Sequence, residues 1–478
     1  MVIIRESNTT ANWFVWHRSL SSPFTKTLYL QTADAEISNP MVIAVSATSI
    51  TTNGWSSGTN NVIAYLFAHD PSADGIIQCG SFTTDGSGNA TVNLGWEPQY
   101  LLQKSSSAAG NWIVQDSMRG LTVGTSDAFL YPNLSSAEGT NNYITPTATG
   151  FTVANMGASE TSIYLAIRRP NKPPTVGTQV YNAIARTGTG AAATVTGVGF
   201  APDLMWTSNR STFDPGRFSL DRLRGGLPFL RLHNVSSETS LDNATVYGMD
   251  GVTFGADTSG YINYSAQNYI NHFFKRAVGV MDIVCYTGTG ATPTFNHNLG
   301  VIPEMIIFKG RSITDDWWVY QKYAQITYTS LKLNTTGAAS IYGTLDATPT
   351  NTTFTLSGTN GNINGNTYVA YLFATKAGIS KVGSYTGNGT SQTINCGFTT
   401  GARFILIKRT DATGDWYVWD TVRGIIAGND PHLSLNTTVA EVTSDDSIDP
   451  ASAGFIVNQL AATNINVTSA SYVFLAIA

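Results

Sequence analysis

The chain is poor in charge. Of its 478 residues only 12% are Asp, Glu, Lys or Arg, about half the usual share. Long helices draw on Ala, Leu, Glu and Lys, so this shortage speaks against a helical fold. Cysteine is scarce too: Cys79, Cys285 and Cys396 are the three present. An odd number, far apart, makes no disulfide framework, and they are expected as buried thiols in strands. No run of about 18 apolar residues occurs, and the mean hydropathy is −0.03, so no membrane insertion is expected. No basic tract accompanies the net charge of −5, and the electrostatic footprint of a nucleic-acid binder is missing. Residues 1–6 lack the basic-then-apolar order of a secretory signal.

Metal and cofactor motifs are lacking as well. His17, His69, His233, His272, His297 and His432 form no His-x-x-x-His pair, and no Cys-x-x-Cys exists. The strongest metal spacings are therefore absent, and no cofactor is expected.

What fills the sequence is Gly, Asn, Thr and Ser between short apolar runs, with 42% hydrophobic residues overall. This is the mix of strands joined by tight turns. One block recurs: Asn12-Trp13-Phe14-Val15-Trp16, Asn111-Trp112-Ile113-Val114-Gln115, Asp316-Trp317-Trp318-Val319-Tyr320 and Asp415-Trp416-Tyr417-Val418-Trp419, with a degenerate copy at Gly216-Arg217-Phe218-Ser219-Leu220. The steps are 99, 105, 100 and 99 residues. A period this constant marks a repeat of about 100 residues. An apolar strand precedes each block, as in Phe404-Ile405-Leu406-Ile407-Lys408, and another closes each unit, as in Tyr368-Val369-Ala370-Tyr371-Leu372-Phe373-Ala374.

The fold expected is all-β: five tandem β-sandwich or jelly-roll-like repeats. They are placed at residues 1–81, 82–184, 185–284, 285–384 and 385–478. The second ends in a spacer, Arg168-Arg169-Pro170-Asn171-Lys172-Pro173-Pro174, whose prolines resist pairing. A division into two arms near residue 172 follows. The first repeat lacks its opening strand, and an unpaired sheet edge invites another. Either a neighbouring chain fills that gap or the chain starts inside a longer one.

Three motifs invite chemistry. Thr187-Gly188-Thr189-Gly190, Thr287-Gly288-Thr289-Gly290 and Thr386-Gly387-Asn388-Gly389 lack the Lys-Ser/Thr of a phosphate loop and are read as turns with positive φ. Asp-x-x-Arg-Gly occurs at Asp116 and Arg119, Asp221 and Arg224, and Asp420 and Arg423. Repeats one and four place His17 and Gln321 at the Asp position. A glycosidase needs two carboxyl groups facing each other across a cleft, so these are read as structural loop pairs and no enzymatic activity is expected. In a strand, residues three apart face opposite sides. One ring of Trp13 and Trp16, and one of Trp416 and Trp419, can therefore meet the core, and Trp16, Trp318 and Trp419 are the candidates for surface aromatics that contact a glycan or a neighbour. Asn-x-Ser/Thr triplets at Asn133, Asn234, Asn243, Asn334 and Asn436 are read as turns.

The stretch from Thr287-Gly288-Thr289-Gly290 through His297-Asn298-Leu299-Gly300-Val301-Ile302-Pro303-Glu304-Met305-Ile306-Ile307 resembles a repeat of phage tail-fibre-like proteins. Val198-Gly199-Phe200-Ala201-Pro202-Asp203-Leu204-Met205-Trp206, Ser219-Leu220-Asp221-Arg222-Leu223-Arg224-Gly225 and Gly414-Asp415-Trp416-Tyr417-Val418-Trp419-Asp420 resemble it too. The resemblance implies a virion location and a structural role as tail fibre or surface appendage, with a host-attachment function. It also implies partners among virion proteins and copies of the chain itself, as a trimer, but no ligand; a host-surface glycan is the contact that the outward tryptophans suggest. It carries over no catalytic residue. The alternatives are a bacterial carbohydrate-binding adhesin, which a secretion signal or anchor would favour, and a glycan-degrading tailspike, whose β-helix coils repeat over far shorter steps.

Overall fold

The computed structural model describes residues 1–54, 61–124, 126–211, 216–324, 330–341, 343–358 and 360–478. The chain is all-β; among the described residues there is no α-helix, and Gly177–Gln179 forms one 3-10 turn.

The last repeat gives the pattern. Its strands are, in order, Ser380–Thr386, Gln392–Asn395, Phe404–Arg409, Trp416–Asp420, Leu433–Ser434, Ile448–Ala451, Gly454–Val457 and Ser471–Ile477. The first, eighth, third, fourth and fifth make one antiparallel sheet in that order, and the second, seventh and sixth make a smaller one. Ile394, Phe455 and Val457 of the small sheet pack against Ile405, Ile407, Trp419 and Phe474 of the large one, so the repeat is a sandwich. In a jelly roll the fourth and fifth strands would cross to the other sheet; here they extend the first.

The large sheet recurs along the chain with its closing strand flanked on both sides. Asn268–Phe274 lies between Tyr181–Thr187 and Leu204–Asn209, Thr367–Phe373 between Met281–Thr287 and Met305–Gly310, and Thr161–Arg168 between Ile77–Thr83 and Pro98–Ser105. In the first repeat Val62–Leu66 pairs, among the described residues, with Val2–Glu6 alone. The opening strands begin at Ile77, Tyr181, Met281 and Ser380. The boundaries expected at 82, 185, 285 and 385 therefore fall four or five residues inside these opening strands.

Glycine sets the loop after each opening strand. Gly190, Gly290 and Gly389 have φ of +72°, +69° and +77°, where a Cβ is strained. A Cβ on Gly188, Gly288 or Gly387 would collide with the backbone carbonyl of Tyr264, Ile363 or Val467. A buried asparagine clamps each loop: Asn263 accepts from Thr189 N (3.1 Å), Asn362 from Thr289 N (2.8 Å) and Asn466 from Asn388 N (2.9 Å). Cys79 and Cys396 are buried and Cys285 half-buried. Cys79 and Cys285 lie in strands, while Cys396 follows one.

The chain divides into two compact units, Met1–Pro170 and Asn171–Ala478, which puts the break within the proline-rich spacer. The second unit holds repeats three, four and five, and each touches both others. Glu238 N donates to Arg311 O (2.8 Å), Ala339 N to Thr410 O (2.8 Å), and Glu441 N returns from repeat five to Arg210 O of repeat three (3.0 Å). The three sandwiches thus close a ring. Phe274 lies 6.2 Å from Phe373 and 5.5 Å from Phe404, ring to ring, so all three repeats share an aromatic centre. This explains why Phe404, Ile405, Leu406 and Ile407 are all fully buried. Ile405 and Ile407 enter their own sandwich, and the alternate side chains meet neighbouring repeats, a sheet covered on both faces.

The first unit holds repeats one and two, joined by the same contacts. Glu36 N donates to Ser106 O (2.9 Å) and Gly110 N to Ala33 O (2.7 Å).

Candidate functional site

The polar side chains that recur in register collect at the junctions between repeats. Each Asp-x-x-Arg-Gly turn follows the fourth strand. Asp420 Oδ1 accepts from Val422 N (3.0 Å) and Arg423 N (2.9 Å), its Oδ2 pairs with Arg423 Nε, and Arg423 Nη2 donates to Val418 O (2.9 Å). Asp116 repeats this with Met118 N, Arg119 N and Arg119 Nε (3.0, 3.0 and 2.7 Å), and Asp221 with Arg224 N (2.8 Å) and Arg224 Nε. The motif glycine ends the turn at φ of +108° (Gly120), +94° (Gly225) and +128° (Gly424). The structure thus brings together the residues of all three sequence-read pairs. Each carboxylate is tied to its own loop, and Asp221, Arg224, Asp420 and Arg423 have no side-chain exposure.

Sequence reading missed what these pairs touch. Arg224 Nη1 reaches Glu238 (3.0 Å), and Glu238 also takes Arg311 of the next repeat (2.9 and 3.0 Å). Arg423 Nη1 lies 3.4 Å from Glu441, which accepts from Arg210 of repeat three (3.0 and 2.8 Å). The closing strand of a neighbour then caps the two pairs of the second unit. Tyr371 of repeat four donates its hydroxyl to Asp221 (2.8 Å) and lies 2.9 Å from Ser219 Oγ. His272 of repeat three places Nε2 3.8 Å from Asp420, with Nδ1 2.8 Å from the Tyr181 hydroxyl. Burial lowers the His272 pKa to about 4, against the pull of Asp420. Burial alone would push the Asp420 carboxyl up, but the Arg423 guanidinium beside it prevails and holds it below the ordinary value.

Buried lysines span the same junctions. Lys309 Nζ donates to Val235 O of the preceding repeat (2.9 Å) and Lys408 Nζ to Thr336 O (2.9 Å). Burial takes both pKa values down to about 8. Their signal was in the sequence: a lysine ends the apolar strand at 104, 309 and 408.

The tryptophans correct the surface expectation. Trp16 is 8% exposed, Trp318 7% and Trp419 0%, so none of the three offers a ring to solvent. Trp318 and Trp419 lie in their own sandwich cores, while Trp16 packs with Val2, Ile4 and Val42 and stacks on Phe24. The other tryptophan of the block faces the neighbour. The indole N–H donates to the preceding repeat at Trp112 (Tyr29 O, 2.8 Å), Trp317 (Arg231 O, 2.7 Å) and Trp416 (Lys332 O, 2.9 Å). Both faces of the sheet are covered, so neither ring is left outside. Asn133, Asn334 and Asn436 are structural as well, accepting from the backbone N–H of Trp112, Trp317 and Trp416 (3.0, 2.9 and 2.8 Å).

An open groove of 380 Å³ lies where Tyr323 of repeat four meets Lys381, Ser384, Gln392 and Asn395 of repeat five. Tyr323 is 39% exposed, and Gln321 Nε2 donates to Gly383 O at this junction (3.1 Å). Its wall sets the Lys381 ammonium and the Gln392 and Asn395 amides beside the Tyr323 ring. Among the described residues no group of three or more His, Cys, Asp or Glu converges as metal ligands.

A family model described as "Domain of unknown function (DUF7483)" matches residues 1–168 and 177–478, one segment in each structural unit. No curated protein matches the chain.

Two predictions follow the burial of these pairs. Arg224→Met strands a buried carboxylate and is expected to lower the unfolding free energy of the second unit by about 3–5 kcal/mol. Arg119→Met acts on a pair with side chains 21% and 24% exposed and is expected to cost the first unit about 1 kcal/mol or less. Urea unfolding of both variants checks the difference; equal costs would contradict it. For His272, the folded pKa of about 4 lies below the ordinary 6.5, so on acidification the unfolded chain binds the proton first. Stability is whole above pH 6.5 and is lost towards pH 4. Urea midpoints across that window should fall in the wild type and fall less in His272→Tyr, which carries the side chain found at Tyr371.

Proposed function

The chain belongs to the DUF7483 family, and we propose that it is a non-enzymatic structural protein of a phage particle, a tail fibre or surface appendage that also contacts the host surface. The observation that carries this reading is the fate of its charged residues: every recurring Asp-Arg pair holds its own loop, and in the second unit these pairs also lock repeat to repeat. A glycosidase needs two carboxyl groups flanking open space; Asp221 and Asp420 face arginines and the capping Tyr371 or His272 instead. Two of the stretches that resemble tail-fibre repeats, at 219–225 and 414–420, carry Asp221, Arg224, Trp416 and Asp420 of these junctions. Stiff closed modules suit projection from a particle, and many weak contacts per particle would add up to firm attachment.

The assembled state proposed is a trimer of the chain, as the resemblance to tail-fibre repeats implies. Further copies and other virion proteins are then partners through its exposed surfaces. The groove at Tyr323 favours a glycan as the host-side contact.

Gold-labelled antibody against this chain should decorate tails or surface appendages of intact phage particles in electron micrographs. Particles that lack the chain by mass spectrometry, or free enzymatic activity on host polysaccharide, would contradict the reading. For the groove, a glycan array should show a bound sugar class that is lost in Tyr323→Ala while the unfolding midpoint is kept.

A further inference from the structure

The closing strand of repeat one is the exception in the large sheets. Val62–Leu66 pairs with Val2–Glu6 on one side, and among the described residues no strand lies on the other. Its small sheet is reduced in the same way: among the described residues Val42–Val45 pairs with Ile50–Thr52 alone. In repeats two and five the small sheet carries a third strand, Ala90–Asn93 or Gln392–Asn395, that follows the opening strand in sequence. Both sheets of repeat one therefore lack the same consecutive pair of strands.

The edge keeps the geometry to receive them. Phe67 N donates to Met1 O (2.9 Å) and Ser7 N to Asn61 O (2.8 Å), which fixes the bonded positions of this strand at odd residue numbers. Hydrogen bonding alternates along an antiparallel pair, so the backbone groups of Val62, Ala64 and Leu66 turn to the open side. Repeat four has the matching strand, with Ala64-Tyr65-Leu66-Phe67-Ala68 identical to Ala370-Tyr371-Leu372-Phe373-Ala374. There the corresponding face bonds the opening strand: Ala374 N donates to Val280 O (3.0 Å) and Gly288 N to Asn366 O (2.8 Å).

Side chains agree. Ile63, Tyr65 and Leu66 are 48%, 49% and 63% exposed, whereas Val369, Tyr371 and Leu372 are 0%. A five-residue apolar edge without charge, proline or bulge is what folded proteins avoid leaving open.

We propose that the free edge of repeat one is a strand-acceptor site, completed by a partner polypeptide carrying the opening pair of a repeat of this kind. That pair is a strand of about seven residues running antiparallel to Val62–Leu66, a Thr-Gly-x-Gly turn, and a short strand beside Ile50–Thr52. Main-chain bonds to Val62, Ala64 and Leu66 supply the affinity, and the alternate side chains supply the choice of partner.

The probe is a synthetic peptide of residues 280–296, the opening pair of repeat four, added to the full chain. Hydrogen exchange followed by mass spectrometry is read on the fragment covering residues 61–68. Saturable slowing of at least tenfold is expected. A control peptide with Asp282→Pro and Val284→Pro, which removes donors that face the closing strand, should have no effect. The proposal is overturned if the fragment is unaffected by the first peptide or slowed equally by both. It is also overturned if sedimentation shows that a second copy already covers this edge as a dimer.

Discussion

The large sheet of each repeat in the second unit is buried on both faces, and the rest of the structure depends on that. A sandwich needs one apolar face per sheet. Here the outer face is apolar too, because it forms the interior of a ring. Phe274, Phe373 and Phe404 come from three different repeats and meet ring to ring. A single repeat released from its neighbours would expose such a face to water, at roughly 25 cal/mol for each Å². The repeat is a unit of sequence, and the closed set of three is the unit of stability.

Joining sandwiches through such a face raises the problem of polar groups caught in it. In repeats two, three and five the fourth strand ends in a turn beside the junction, and its carboxylate cannot remain buried without partners. The arginine three residues later answers the charge, and a glutamate and a neighbour's arginine extend the network outward. Tyr371 and His272 do the same task from the closing strand, one by donating a hydroxyl and the other by staying neutral. Because these groups are already engaged with one another, the junctions are suited to holding shape rather than to acid–base chemistry.

Much of this was legible in the sequence. The tryptophan blocks set the period, and runs such as Phe404 to Lys408 gave the strands. The Asp-x-x-Arg-Gly turns were readable because both partners lie within one local loop. The break near residue 172 followed from three prolines. What could not be read was the ring, since Tyr371 meets Asp221 across 150 residues and no local pattern encodes that pairing. The expectation of exposed rings at Trp16, Trp318 and Trp419 failed for the same reason. It assumed a sheet with one wet face, although the lack of polar alternation in Phe404-Ile405-Leu406-Ile407 already pointed to cover on both sides. The groove at Tyr323 was also out of reach, because it forms only where two repeats meet.

Native-state hydrogen exchange on the full chain tests the central claim most directly. If three repeats stabilise one another as a ring, the closing strands Asn268–Phe274, Thr367–Phe373 and Ser471–Ile477 should share one opening free energy. Loosening a single junction with Glu238→Gln should then speed exchange in all three together. Faster exchange confined to repeats three and four, with Ser471–Ile477 unchanged, would show independent beads on a string and contradict the account.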